Sequence, residues 1–296
     1  MAIALAGGFL WAASSRYFWH QQLYAHWLTY RTSAKTVDST IGLSRYSVVI
    51  DGKTVEASLH NLSGITYDYD HDRLLAITNN TPMELLVLSK AGDIQARYPL
   101  VGFEDTEGLA YLGNGRLVIV DEEQQQLDVL NIPQEVRPIH VEEAQYIAVQ
   151  INASHSNKGF EGVTYDPASD RLFAIKERDP RAMYEVTGLL KALDAQGVRI
   201  TVRDLTPWIA RSVFARDLSD GYYDPASGHL LVLSDQSRNI TELDADGHFV
   251  SIRSLRAAFS DLHKDAPQPE GITMDTAGNL YIVSEPNLFY AFQKRQ

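Results

Sequence analysis

One phrase recurs five times along this chain and restricts its fold more than any other feature. Leu62-Ser63-Gly64-Ile65-Thr66-Tyr67-Asp68, Thr106-Glu107-Gly108-Leu109-Ala110-Tyr111, Phe160-Glu161-Gly162-Val163-Thr164-Tyr165-Asp166, Leu218-Ser219-Asp220-Gly221-Tyr222-Tyr223-Asp224 and Pro269-Glu270-Gly271-Ile272-Thr273-Met274-Asp275 each lead through a short turn into an apolar strand. Short β segments repeated every 40 to 50 residues or so are the mark of a propeller. Each repeat is then a four-stranded blade that cannot bury its faces alone.

Aligned on the glycine, the repeats fall at Gly64, Gly108, Gly162, Asp220 and Gly271, at intervals of 44, 54, 58 and 51 residues. The fourth position is found by counting back from Tyr223-Asp224-Pro225 as from Tyr165-Asp166-Pro167, which puts Asp220 rather than Gly221 in the slot. Aspartate tolerates positive φ better than most residues, which makes it a reasonable substitute there. The reading is all-β, a five-bladed propeller over 43–296. Second strands are expected at 74–77, 117–120, 172–175, 230–233 and 280–283, and third strands at 84–88, 127–130, 183–186, 240–243 and 288–292. The fifth repeat ends with the chain and lacks an outer strand. The β-branched run 46–50 is expected to supply it, closing the ring and removing an open edge.

The first 30 residues have a different composition. Ala2 to Ala13 is uninterrupted apolar or small, and Arg16 is the sole formally charged side chain up to Tyr30. Twelve residues make about 18 Å of helix, short of the roughly 20 residues that span a bilayer. Tyr17, Phe18, Trp19, Tyr24, Trp27 and Tyr30 follow, and such rings favour the headgroup level. Residues 1–30 therefore read as an uncleaved membrane-anchor helix, with a signal peptide or an interfacial helix as alternatives. Residues 31–42 read as a linker. A net charge of −12 argues against a nucleic-acid partner, because phosphate binding needs clustered Lys and Arg. With no cysteine, disulfides, Cys-ligated zinc and thiol nucleophiles are excluded.

Two positions per repeat should emerge on one face beside the axis. The residue before the glycine slot is Ser63, Glu107, Glu161, Ser219 or Glu270, and the residue ending the second strand is Asn79, Glu122, Glu177, Asp235 or Glu285. All ten bear oxygen and seven are carboxylates. Like charges so close raise one another's pKa or require a cation. A hard cation with six to eight oxygen ligands suits the set, so calcium is preferred and magnesium second. Glu107, Glu122, Glu161, Glu177 and Glu270 are the expected metal residues. Asn79, Asp235, Glu285 and the loop histidines His155 and His263 are the expected ligand face. Two other readings stand beside this one: solvated rim carboxylates neutralised by Lys176, Arg178 and Arg181, and a catalytic carboxylate pair without metal.

Longer loops before the inner strands, 152–160, 205–218 and 255–269, lie on that same face, and Trp208, Phe214 and Phe259 either line a well there or pack helical turns onto the blades. The chain has no H-E-x-x-H, G-x-S-x-G, P-loop or EF-hand motif.

The L-S-G-I-T-Y opening, D-T-E-G-L-A-Y, G-F-E-G-V-T-Y, L-L-V-L-S at 230–234 and P-E-G-I-T-M-D-x-x-G-N-L-Y-I-V-S-E-P-N resemble the SdiA-regulated (YjiK-like) proteins of Gram-negative bacteria, from about residue 37 to the end. The resemblance implies a five-bladed propeller behind an inner-membrane segment, facing the periplasm, with bound calcium and no established activity. It carries to Glu107, Glu161 and Glu270 through the matching E-G motifs. The expected function is a membrane-anchored propeller that binds calcium and an unknown small molecule or protein at the axial face. The alternative is a metal-dependent hydrolase of esterase or lactonase type, by analogy of fold.

Overall fold

The strand that closes the ring comes first in the chain, as β1 (Tyr46–Thr54), and the four strands of each blade then follow from the axis outward. Blade one holds β2 (Leu62–Asp68), β3 (Arg73–Thr78), β4 (Met83–Leu88) and β5 (Ile94–Val101), with a short parallel β9 (Ile139–His140) on its edge. Blade two holds β6 (Thr106–Gly113), β7 (Arg116–Asp121), β8 (Gln126–Asn131) and β10 (Gln145–Ala148). Blade three is β11 (Phe160–Asp166), β12 (Arg171–Lys176), β13 (Ala182–Thr187) and β14 (Thr201–Asp204). Blade four is β15 (Gly221–Asp224), β16 (His229–Ser234), β17 (Asn239–Leu243) and β18 (Phe249–Ser254). Blade five is β19 (Gln268–Met274), β20 (Leu280–Glu285) and β21 (Leu288–Lys294), completed by β1. This computed structural model describes residues 14, 19–33, 40–148, 159–194 and 199–295.

The middle of each blade's second strand is apolar because both of its faces are covered. Side chains alternate across a strand, so Leu75 and Ile77 pack against Leu109 and Ile119 of blade two, while Leu74 and Ala76 pack against Tyr281 and Val283 of blade five. The core is accordingly divided into five wedges, one between each pair of neighbouring blades.

At the axis the wedges have no thickness. A Cβ on Gly108 would sit 2.5 Å from the Glu161 carbonyl oxygen and 2.9 Å from Gly162 Cα, and one on Gly162 would sit 2.5 Å from Asp220 Cα. One on Gly271 would meet the Ile65 nitrogen at 2.7 Å, and one on Gly64 the Glu107 carbonyl oxygen at 2.7 Å. The slot residues thus crowd backbone against backbone from blade five round to blade four, and the Asp220 side chain completes the ring. Conformational freedom is not the reason for glycine here, contrary to the expectation for Asp220: neither it nor any of the slot glycines has a positive φ. Asp220 is 2% exposed and accepts the Ile272 amide at 2.9 Å, tying blade four to blade five. Burial drives its pKa well above the ordinary value.

Closure is made as the sequence implies, and by a longer strand. β1 pairs antiparallel with β21 from Tyr46↔Lys294 to Thr54↔Leu288. Tyr46 is fully buried and donates from its hydroxyl to the Gly278 carbonyl at 2.8 Å. Packing begins before residue 43, because the amides of Ile41 and Gly42 donate to the buried Glu242 carboxylate at 2.8 and 3.1 Å.

The apolar run 2–13 lies outside the described residues, and among the described residues no helix is long and apolar enough to cross a membrane. The helix α1 (Trp19–Ser33) packs instead along β18. Its inward residues are small or polar: Ala25 and Gln22 are fully buried, with Gln22 donating to the Ser237 carbonyl at 3.0 Å. Leu23, Trp27 and Tyr30 are exposed, at a spacing that places them on one outward side.

Replacing Tyr46 by alanine should cost about 3–5 kcal/mol, as for other large buried aromatics, whereas Val49→Ala, at an exposed position of the same strand, should cost under about 1 kcal/mol. Gly108→Ala should be at least as damaging as Tyr46→Ala, because the atoms it meets are backbone. Chemical denaturation of the three variants checks this ordering.

Candidate metal and ligand site

The residue before each glycine reaches the axial face through a β-bulge. In blades one, three and five the pairing skips one residue at that point: Ser63 between Leu62 and Gly64, Glu161 between Phe160 and Gly162, and Glu270 between Pro269 and Gly271. In blade two the skip takes in Glu107 and Gly108. A bulge leaves the extra residue unpaired and re-aims its side chain, which frees these carboxylates from the alternating in-and-out pattern of the strand. Blade four differs, because β15 starts only at Gly221; there Ser219 donates from its hydroxyl to the Pro269 carbonyl at 2.8 Å.

The positions ending the second strands meet this ring from outside. Asn79 donates from its side-chain amide to the Glu107 carboxylate, linking blades one and two. Glu122 is buried, and accepts the Gly159 amide at 2.7 Å. Glu177 is paired with Arg178 at 2.8 Å. Asp235 and Glu285 lie on the opposite arc and both act electrostatically on Glu270.

The carboxylates are close enough to shift one another. Burial raises Glu107 well above its ordinary value, and Glu161, Asp105 and Glu122 raise it further. Glu161 is raised by burial and then by Glu122, Glu177 and Glu270. Glu270 is raised by burial and by Asp235, Glu107 and Glu285. Glu122 is pushed up to about 7, chiefly by burial, and Asp235 also to about 7, by burial and the neighbouring Asp217. Burial raises Glu177 as well, opposed by Arg178.

Within the ring the tightest group is Asp105, Glu107 and Glu122, which offer one oxygen each within 4.8 Å of one another. This is the one such group of metal-ligating side chains among the described residues, and it is made of oxygen donors alone. The alignment of repeats does not single out Asp105 or Asp217. Asp105 stands two residues before Glu107 in the D-T-E-G motif, and that spacing is the sequence signal for it. Asp217 is fully buried, accepting the Gln236 amide at 3.0 Å and the Ser234 hydroxyl.

Other expected participants fall elsewhere. His263 is tied to Asp51 of the outer strand β1, with its ring nitrogen 2.5 Å from the carboxylate, and so stands at the rim of blade five rather than at the axis. His155 lies outside the described residues. Trp208 of α3 (Thr206–Ser212) packs against the wedge between blades three and four, which follows α2 (Leu189–Leu193) in the chain. Phe214 meets Tyr24 and Phe249 edge-on, and Phe259 lies 6.3 Å from the His26 ring. All three hold peripheral elements in place. Of the three cationic side chains weighed against a metal, Arg178 neutralises Glu177, Arg181 is turned to the Val213 and Ala215 carbonyls, and Lys176 donates to the Arg178 carbonyl at 2.5 Å.

The same architecture recurs in solved structures of low identity. A luciferin-regenerating enzyme matches with a TM-score of 0.53 at 12% identity, covering 83% of this chain and 95% of that one. A protein of unknown function from Bacteroides thetaiotaomicron matches with a TM-score of 0.53 at 12% identity, covering 84% and 76%. These likenesses concern the propeller fold alone. The model of the SdiA-regulated family matches residues 38–293, the whole propeller from just before its closing strand to its last, and the chain belongs to that family.

Proposed function

We propose that this protein is a membrane-tethered, periplasm-facing propeller that holds calcium in its axial carboxylate ring and uses the ion to recognise an oxygen-bearing small molecule or a protein. One observation carries the metal: Asp105, Glu107 and Glu122 converge within 4.8 Å, where burial and mutual repulsion oppose their joint ionisation unless a cation is present. An all-oxygen donor set favours calcium, with magnesium second because its octahedral demand is stricter. Glu161, Glu177 and Glu270 complete the ring, with Asn79, Asp235 and Glu285 as the surrounding ligand face.

Tethering is supported by the apolar run 2–13 and by the outward Leu23, Trp27 and Tyr30 of α1, which suit a bilayer interface.

Saturating calcium, at a hundredfold excess over Kd, should raise stability by about 2.7 kcal/mol, several degrees in Tm. EDTA should reverse this rise, and Glu107→Gln or Asp105→Asn should abolish it. An unchanged Tm with calcium and with EDTA contradicts the metal reading.

The metal-free protein should show an inverted pH dependence. Glu122 titrates at about 7 when folded, above its ordinary 4.5, so its contribution is fully present below the lower value and is lost as pH rises through about 7. Thermal unfolding in EDTA should therefore show Tm falling between about pH 4.5 and about pH 7, and calcium should remove that fall. For the tether, the full chain should co-sediment with phosphatidylcholine vesicles in high salt; recovery in the supernatant contradicts it.

A further inference from the structure

The repeated phrase has a second end, which the metal reading leaves unused. From Glu107 to Tyr111 is four residues, roughly 13 Å along a strand, so the last residues of the inner strands reach the face opposite the carboxylates. A cavity of about 1010 Å³ opens there, and the slots after the glycine line it in every blade: Thr66-Tyr67, Ala110-Tyr111, Thr164-Tyr165, Tyr222-Tyr223 and Thr273-Met274. From the axis it runs outward between blades four and five, to Ile41, Tyr46 and Lys294. We propose that this cavity is a second binding site, for the neutral sugar rings of a short oligosaccharide.

The first argument is the rigidity of its aromatic wall. The Tyr67 hydroxyl donates to Asp72 at 2.5 Å, that of Tyr111 to Asp70 at 2.6 Å and that of Tyr165 to Asp170 at 3.2 Å, while Tyr223 accepts from Arg171 at 3.0 Å. These four rings are 4–8% exposed and make a rigid floor. The open ring on which the CH face of a sugar stacks is Tyr69. Tyr69 extends the wall, edge-on to Tyr111 at 5.0 Å and 39% exposed.

The second argument is Tyr222. In blades one and three the residue at its slot is a threonine, whose hydroxyl accepts the amide of the next inner strand: Thr66 from Tyr111 at 3.1 Å and Thr164 from Tyr223 at 2.9 Å. Blade four replaces that threonine with a phenol. Tyr222, a half-buried residue that lines the cavity, packs against the wedge holding Ile272 and Met274, and its hydroxyl makes no hydrogen bond among the described residues. A polar atom left without a partner in an aromatic floor is a point of attachment for a ligand hydroxyl.

The third argument is charge. The ionic groups lining the cavity are Asp224, Asp275 and Lys294. Asp224 is filled by its own turn, accepting from the Ser227 amide at 3.1 Å and the Ser227 hydroxyl at 2.6 Å. Asp275 accepts from the Asn279 amide, the Tyr281 hydroxyl and Lys90, at 2.9, 2.9 and 3.2 Å. With both carboxylates engaged, the cavity is not a cage for an organic cation. A single exposed lysine at its outer end does not make it an anion site. Immobile rings, one unpartnered phenol and little net charge fit a neutral polyol, and the volume fits two or three sugar rings.

Saturation-transfer NMR on the full-length protein, with maltose, cellobiose, chitobiose and tetramethylammonium as probes, tests this. At least one disaccharide should bind, equally in calcium and in EDTA, so that failure of the metal site leaves the result intact. Tyr222→Phe should weaken binding about fivefold, the worth of one hydrogen bond, and Tyr69→Ala should weaken it further. The proposal is overturned if no disaccharide gives a signal, if tetramethylammonium alone binds, or if binding is unchanged in both variants.

Discussion

Everything in this molecule depends on how closely five inner strands approach one another at a common axis. The backbones of neighbouring blades come within contact distance at the slot residues, where a methyl group on Gly108 or Gly162 would overlap main-chain atoms of the next strand. That crowding fixes the inner edge of each blade and sets the taper filled by the five hydrophobic wedges. It also separates the two faces. Carboxylates precede the crowded point and tyrosines follow it, so one repeated phrase furnishes two chemically opposite rims.

Burial at the axial face acts on the carboxylates in a way that an exposed acidic cluster would not. Each strand end brings its side chain to the same small region, and the bulges at Glu161 and Glu270 release those residues from the pleat. Their desolvation raises the cost of ionisation, and each neighbour adds to it. Asp220 shows the same physics with a different outcome. It is also pushed far up in pKa, but it lies within the ring of slot residues and accepts an amide from blade five, which makes it a brace between blades.

Much of this was legible in the sequence because the repeat is periodic and periodicity is local. The five blades, the second and third strands to within a residue or two, and closure by the run at 46–50 follow from alternation and from the missing outer strand. The ten oxygen-bearing positions follow from the same alignment. What escaped was set by contacts between distant parts of the chain. His263 pairs with Asp51, 212 residues away, which no count of spacings reveals. Asp105 joins Glu107 and Glu122 because the bulge in β6 reshapes the strand start. The aromatic stretch at 19–30 was read for its membrane-like composition, yet its helix turns Gln22 and Ala25 toward the propeller and Leu23, Trp27 and Tyr30 away. Nothing local in the phrase tells a tyrosine packed in a wedge from one lining a cavity.

Calcium titration calorimetry in buffers of different ionisation enthalpy, near neutral pH, tests the central claim most directly. Carboxyl groups held partly protonated by burial and mutual repulsion must give up protons when a cation replaces them. The account predicts binding with net proton release that shrinks as the pH is raised toward 8.5 or so and that is reduced in Glu122→Gln. No binding of calcium, or binding with no proton release at any pH in that range, would contradict it.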